Sequence, residues 1–345
     1  MKKFSIIIPC YNVAEYLPTC MEHLLQQTIG IENLEIILVD DASTDDGKTL
    51  ACMMHYEKLY PDSVIVIPLS ENMRQGGARN IGMRYASGEY LAFCDADDWF
   101  VKDAFDIIYK SAKTYDCDVV EFFNRDVTAF CSEYNQPILY QDKTMLLWNI
   151  PDVETRKEYL LLEESTLGCW NKVYRTSMIK EHRIQYADHV VWEEPSFTYM
   201  VRFYAKRHLL LPLVLHYALI RQGSTTNSSY DDKKFDNCFT HQFLFSTIQQ
   251  HGLYPLYQEE VDFIFWKWYF ASSLIFIARH DQFYTKKEFE LLQINTQNSI
   301  LDIRKNKYFH ILLSEPFQVL GEYTYIPIDH IDLSSLYDFC KQIGC

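Results

Sequence analysis

Short apolar runs alternate with helix-patterned segments through the first 125 residues, and that alternation leaves few folds open. Phe4–Pro9, Leu34–Val39, Val64–Pro68, Tyr90–Cys94 and Asp118–Phe123 read as buried strands, because each is short and almost uniformly apolar. Between the first two, residues 15–27 place Leu17, Met21, Leu24 and Leu25 at helical spacing. Further helices are expected over 48–60, from Gly76-Gly77 through Ala86, and over 101–115. Strand–helix–strand repetition of this length predicts right-handed βαβ units and a mostly parallel sheet with flanking helices, an α/β fold. Residues 126–165 lose the alternation, and one more strand is expected at Leu209–Leu215. From about residue 235 onward Phe, Tyr, Leu and Ile recur at helical spacing, so two domains are expected, 1–228 and a helical 229–345.

A formal net charge of −15 argues against a nucleic-acid partner. It leaves room for anionic ligands, since a helix N-terminus or a bound metal outweighs the global field locally. The ten cysteines form no CxxC pair and several lie inside apolar runs, so they read as reduced, buried thiols. That usage fits a cytoplasmic protein. The N-terminal apolar run reaches Asn12 without a small-residue cleavage site and reads as a strand, not a signal peptide. No apolar run has the length of a membrane span; the nearest are 209–220 and 263–278, the second interrupted by Lys267 and read as a core helix, with an interfacial membrane role as the alternative.

The strand assignment puts Asn12, Asp40-Asp41 and Asp95-Ala96-Asp97-Asp98 at the C-terminal ends of three strands. Ligands of open α/β sheets bind along that edge. Clustered carboxylates repel one another unless something positive lies between them. A hard divalent cation satisfies that need. A strand-to-helix turn capped by Asp98 is the other reading of the same residues.

Taken in order, several motifs resemble the family 2 inverting glycosyltransferases of bacterial cell-surface polysaccharide synthesis. They are Ser5-Ile6-Ile7-Ile8-Pro9-Cys10-Tyr11-Asn12, Ile37-Leu38-Val39-Asp40-Asp41-Ala42-Ser43-Thr44-Asp45, and Glu71-Asn72 with Gly77-Ala78-Arg79-Asn80-Ile81-Gly82. Ser87-Gly88-Glu89-Tyr90-Leu91-Ala92-Phe93 leads into Asp95-Ala96-Asp97-Asp98, and Trp170-Asn171-Lys172-Val173-Tyr174-Arg175 follows. Glu193-Glu194 with Phe197, and Tyr217 through Arg221 to Gly223-Ser224-Thr225, complete the series over residues 4–226. The resemblance implies a GT-A fold, Rossmann-like, with the helical C-terminal region appended to it.

It also implies roles. Asp95-Ala96-Asp97 is similar to the family's DxD motif, with Asp97 as ligand of Mg²⁺ or Mn²⁺ and Asp95 on the nucleotide ribose or the metal shell. Pro9, Tyr11, Asn12, Asp40 and Asp41 would line the nucleoside pocket, Asp41 accepting from the base N–H while its neighbour caps the turn. Arg79 is expected either to receive an anion at a helix start or to pair with Asp95 or Asp97. Glu193-Glu194 stands where the family has Glu-Asp, a departure that lengthens the catalytic side chain by one methylene. Glu194 is the expected base, with Glu193 orienting it. Trp170 reads equally as sugar platform or core, and Arg221 or the run Ser224-Thr225-Thr226 could close over the diphosphate.

The expected reaction is metal-dependent inverting transfer from a nucleotide-sugar, a UDP-sugar first among them, to a saccharide or lipid-linked acceptor. Residues 229–345 would shape the acceptor side, form a homo-oligomer, or dock at the cytoplasmic face of the inner membrane. The alternatives are a nucleotidyltransferase and a non-catalytic carbohydrate-binding protein. The first needs a basic phosphate-gripping loop near the N-terminus, which Pro9-Cys10-Tyr11-Asn12 is not. The second predicts a missing metal motif or base.

Overall fold

The computed structural model describes residues 2–130, 135–141, 143–221, 233–280 and 282–343. The chain divides into two compact units, Met1–His189 with Glu193–Asn227, and Val190–Trp192 with Ser228–Cys345. The eight cysteines among the described residues are all free thiols.

The first unit is built on one sheet. Its elements are β1 (Phe4–Cys10), α1 (Leu17–Leu25), β2 (Leu34–Asp40), α2 (Lys48–Leu59), β3 (Val64–Pro68), α3 (Arg74–Tyr85) and β4 (Tyr90–Phe93). Then come β5 (Trp99–Phe100), α4 (Ala104–Tyr115), β6 (Val119–Val127), β7 (Ile138–Leu139), β8 (Leu146–Asn149) and α5 (Val153–Leu160). β9 (Lys172–Arg175), α6 (Thr176–Glu181), α7 (Glu194–Tyr204) and β10 (Arg207–Leu219) finish the unit. The strand order is β3-β2-β1-β4-β9-β6-β10-β5, with β7 and β8 also on β10.

Across β3-β2-β1-β4 the sheet is parallel, as the alternation of apolar runs and helices dictates. β1 and β2 are wholly buried, the state that uniformly apolar strands require. α1 covers one face through Leu17, Cys20, Met21 and Leu24. Full burial of a Leu or Met side chain contributes about 1.5–3 kcal/mol. Beyond β4 the sheet is mixed. β9 inserts antiparallel between β4 and β6, and β10 runs parallel to β6.

Register places the functional edge. Cys10 pairs with Asp40, so the chain leaves β1 and β2 side by side, while Ile7 pairs with Phe93. Residues 95–98 therefore turn beside the end of β1, closed by a hydrogen bond from the Asp98 amide to the Asp95 carbonyl at 3.0 Å.

The second unit is helical: α8 (Asp236–Gln250), α9 (Gln258–Phe265), α10 (Ser272–Arg279), α11 (Lys286–Ser299), α12 (Phe309–Leu312), α13 (Glu315–Tyr323) and α14 (Leu333–Ile343). A π-helical turn, Trp266–Ala271, joins α9 to α10 into one 22-residue helix, Gln258–Arg279. By length and composition that helix could cross a bilayer, which the residue pattern around Lys267 did not suggest. Its most apolar window is 78% buried within the protein. Trp266 is fully enclosed there and donates its indole N–H to the Thr324 hydroxyl at 3.0 Å.

Candidate active site

At the β1/β2 edge, Asn12 adopts a left-handed conformation (φ 54°) and ties the two strand exits together. Its side chain accepts from the Thr44 amide at 2.7 Å and donates to the Thr44 hydroxyl at 3.1 Å. Asp40 accepts from the Ser43 amide and hydroxyl at 3.1 and 2.5 Å, and so closes the turn after β2. Asp45 accepts from the amide and hydroxyl of Thr49 in the first turn of α2. Asp41 reaches the other way and accepts from the Met73 amide at 2.7 Å. Burial pushes its carboxyl up to about 6, against the pull of the Met73 and Arg74 amides. Pro9 is buried in β1, while Tyr11 and Asn12 stay exposed at the rim.

The second cluster converges on Arg79. Its guanidinium is completely enclosed, donating from Nη2 to Asp95 Oδ1 at 2.9 Å and from Nη1 to Glu193 Oε1. Its Nε is buried without a hydrogen-bond partner. Of the two expected roles the structure shows the ion pair with Asp95: α3 begins at Arg74, so Arg79 lies inside the helix and not at its start, with its terminal nitrogens on carboxylates. Gly76 lets α3 come this close. A Cβ there would lie 2.3 Å from the Ala187 carbonyl oxygen and 2.8 Å from Glu193 Cγ.

Glu193 stands at the start of α7, buried, and its carbonyl accepts from the Ser196 hydroxyl at 2.6 Å. Burial, then the neighbouring Glu194, raise its proton affinity, while the Arg79 guanidinium on its Oε1 opposes the shift and favours the charged form. Glu194 opens α7 beside Pro195 and is only partly buried. Burial raises its proton affinity as well, again opposed by Arg79. The two glutamates thus differ: Glu193 is buried and bonded to the Arg79 guanidinium, whereas Glu194 is only partly buried and feels Arg79 through its charge.

Of the three aspartates after β4, each has a different partner. Asp95 takes Arg79. Asp97 takes Arg221, whose Nε approaches Oδ2 at 2.5 Å while the guanidinium lies 4.6 Å from the centre of the Tyr16 ring. Asp98 accepts from the Leu219 amide at 3.0 Å and faces His216 Nε2 at 3.4 Å. Asp98 is therefore not the cap of the following helix; α4 starts later, after Asp103. Burial raises Asp98 far above the ordinary carboxylate range, with Asp95 and Asp97 adding to the push. Burial also drives His216 down to about 3, so this neighbour is neutral.

Trp170 stacks on His216 with ring centres 5.4 Å apart and remains partly exposed, whereas Asn171 and Lys172 are buried. Tyr217 is core, stacked on Trp99 at 5.8 Å. Ser224-Thr225-Thr226 lie outside the described residues. The residue pattern missed Tyr16 and Met73, which precede α1 and α3, and His216 on β10, none of which carries a local signature. Among the described residues, no three His, Cys, Asp or Glu side chains converge as a closed metal-ligand set.

A family model described as glycosyl transferase family 2 matches residues 5–183. EpsH of Bacillus subtilis strain 168 is 28% identical over 274 residues, covering 75% of this chain and 72% of that protein. The Bacillus spizizenii poly(ribitol-phosphate) beta-glucosyltransferase is 29% identical over 230 residues, and the chain spans 34% of its length. The poly(ribitol-phosphate) beta-N-acetylglucosaminyltransferase TarS of Staphylococcus aureus strain Mu50 is 27% identical over 239 residues, of which the chain spans 38%. The crystal structure of S. aureus TarS 1–349 in complex with UDP superposes with a TM-score of 0.67 at 18% identity, covering 99% of this chain and 90% of that one. That likeness shows the GT-A fold expected of the sheet unit, and a helical C-terminal region is present as expected. With a match running from β1 past α6, over more than half of its 345 residues, the chain belongs to glycosyl transferase family 2 and is a glycosyltransferase.

Proposed function

We propose that the protein transfers a sugar from a UDP-sugar, with inversion and with a divalent cation, to a saccharide or lipid-linked acceptor in cell-surface polysaccharide synthesis. The observation that carries this reading is the Arg79 bridge. One buried guanidinium joins a carboxylate of the DxD motif to the residue that precedes the candidate base. The names of the relatives support the substrate class, since two act on poly(ribitol-phosphate) and TarS has been seen with UDP and with UDP-GlcNAc.

Asp95 and Asp97 fit Mg²⁺ or Mn²⁺ as a pair of hard, partly exposed carboxylates within one turn. Such a pair is too small for an all-protein cage and suits a cation that completes its shell with phosphates and water. When bound, the cation supplies neutralisation of the charge developing on the departing diphosphate.

The remaining work falls to the chain itself. Asp41, held by the Met73 amide, presents a carboxylate to the N–H of the base. Asn12 and Asp40 fix the loop that frames it, and Tyr11 lies exposed at its rim. Glu194 takes the proton of the attacking hydroxyl, and its raised proton affinity suits a base. Glu193 and Arg79 hold the start of α7 so that Glu194 stays in register with the donor. A single displacement by that hydroxyl on the face opposite the diphosphate inverts the anomeric centre.

The test is a panel of nucleotide-sugars incubated with and without Mn²⁺, with product configuration read by NMR. The expected result is Mn²⁺-dependent turnover of UDP-sugars and a product of inverted configuration. Retention, or turnover indifferent to chelator, overturns the proposal.

A further inference from the structure

We propose that Arg221 is a stand-in cation: it neutralises Asp97 while the site is empty and moves to the diphosphate when donor and metal arrive. This rests on the reading of Asp97 as a cation ligand.

Two arginines serve the DxD motif, and they are held very differently. Arg79 is completely enclosed and spans two carboxylates. Arg221 follows the end of β10, is 25% exposed, and approaches Asp97, itself 15% exposed, through Nε at 2.5 Å. Its other described contact is the face of Tyr16. A guanidinium that meets one carboxylate edge and one aromatic face, and is partly exposed, is easier to release than the enclosed Arg79.

The aspartate turn needs such a charge. Arg79 is shared between Asp95 and Glu193, and Asp98 is held by the Leu219 amide, so Asp97 would otherwise stand uncompensated beside the Asp95 carboxylate. A divalent cation on Asp97 supplies the same neutralisation and repels a guanidinium on the same oxygen. The two are therefore competitors for Asp97. The displaced guanidinium is planar and matches phosphate oxygens bidentately, and the diphosphate brings new negative charge to the place it has left.

The competition predicts opposite effects of one substitution. In Arg221→Gln, Mn²⁺ alone should bind roughly two- to five-fold tighter, the scale of a partly exposed ion pair. UDP in saturating Mn²⁺ should bind about ten-fold weaker, as expected for the loss of a charge-assisted contact. Arg221→Lys, which keeps the charge, should leave Mn²⁺ affinity near that of the wild type. Mn²⁺ binding is read from the free-ion EPR signal and UDP binding from calorimetry, both on the full chain. Unchanged or weaker Mn²⁺ binding in Arg221→Gln overturns the stand-in, and unchanged UDP affinity overturns the transfer. Asp97→Asn separates the two levels of failure. If it leaves Mn²⁺-dependent UDP binding intact, Asp97 is no ligand and both readings fall. If it abolishes that binding while Arg221→Gln changes nothing, only the stand-in fails.

Discussion

Arg79 and Glu193, 114 positions apart, form an ion pair in which the side chains are 0% and 1% exposed. Such a pair is costly to break from one side, because the surviving charge stays buried without compensation. Arg79→Met should therefore lower stability by about 3–5 kcal/mol. Arg79→Lys keeps the charge but cannot span Asp95 and Glu193 together, so it should recover part of that loss and little activity. Denaturant midpoints measure both. A methionine variant within about 1 kcal/mol of the wild type would show that the bridge is not what holds the start of α7.

Glu194→Gln should lower kcat by about 10²- to 10⁴-fold, the usual worth of a positioned general base, while UDP affinity stays unchanged. Glu193→Gln removes the partner of Arg79 and should show first as a lower unfolding midpoint. If the glutamine at 194 retains full turnover and the one at 193 abolishes it, the base is the buried residue.

Asp41 gives a pH signature. Its folded-state carboxyl lies at about 6, above the ordinary value of about 4, because of burial. Between those values the folded state holds the extra proton. Its contribution to stability is fully present below about 4 and is lost as pH rises through about 6. Donor binding has the opposite sign, since only the ionised carboxylate accepts from the base. UDP affinity should fall about ten-fold more between pH 7 and pH 5 in the wild type than in Asp41→Asn. The phosphate of UDP titrates in the same range, so the difference between the two proteins is the observable. Parallel slopes would remove Asp41 from the base-reading role.

What the amino-acid pattern revealed, and what it hid, follows one physical line. β1 and β2 were legible because strands buried on both faces must be apolar throughout, and Ile6, Ile7 and Ile8 leave no other reading. β9 was not, because it is four residues long and opens with a lysine. Lys172 is buried against Glu121, fifty-one positions earlier, at 3.2 Å. Asp98 looked like a local cap because sequence shows only neighbours, whereas its partner is the Leu219 amide 121 positions on. The glycines at 76 and 77 suggested an anion cradle, yet at Gly76 the missing side chain makes room for a carbonyl and a glutamate. The positions of Asp41, Asp95 and Asp97 were readable; the partners that tune them come from the start and interior of α3 and from the segment after β10.

Gly76→Ala tests the close approach of α3. The new methyl would lie 2.3 Å from the Ala187 carbonyl oxygen, a backbone atom that cannot swing aside. Overpacking of this kind costs about 1–3 kcal/mol. It also pushes on Glu193 Cγ at 2.8 Å, so turnover should fall further than UDP affinity. Calorimetric unfolding and steady-state kinetics on the same preparation check this. A variant of wild-type stability and kcat would mean that α3 can retreat freely from Glu193.

Lys172 anchors the far side of the first unit. It meets Glu121 at 3.2 Å, and Glu121 also faces His208 Nε2 at 3.1 Å and accepts from the Thr166 amide at 3.0 Å. Against the upward push of burial, Lys172 and then His208 hold the Glu121 carboxyl well below its ordinary range. A depressed carboxylate contributes stability above its unfolded value of about 4.3 and loses that contribution as pH falls further. Lys172→Met at neutral pH should cost about 3–5 kcal/mol by stranding Glu121. Adding Glu121→Gln should return part of that loss, because a neutral amide needs no counter-charge, whereas independent sites would make the double variant worse than either single one. Equilibrium unfolding of the two single variants and the double variant decides between these outcomes. Strict additivity would mean that Lys172 is held by the Gly168 carbonyl and the Thr166 hydroxyl, each at 2.8 Å, and not by the charge on Glu121.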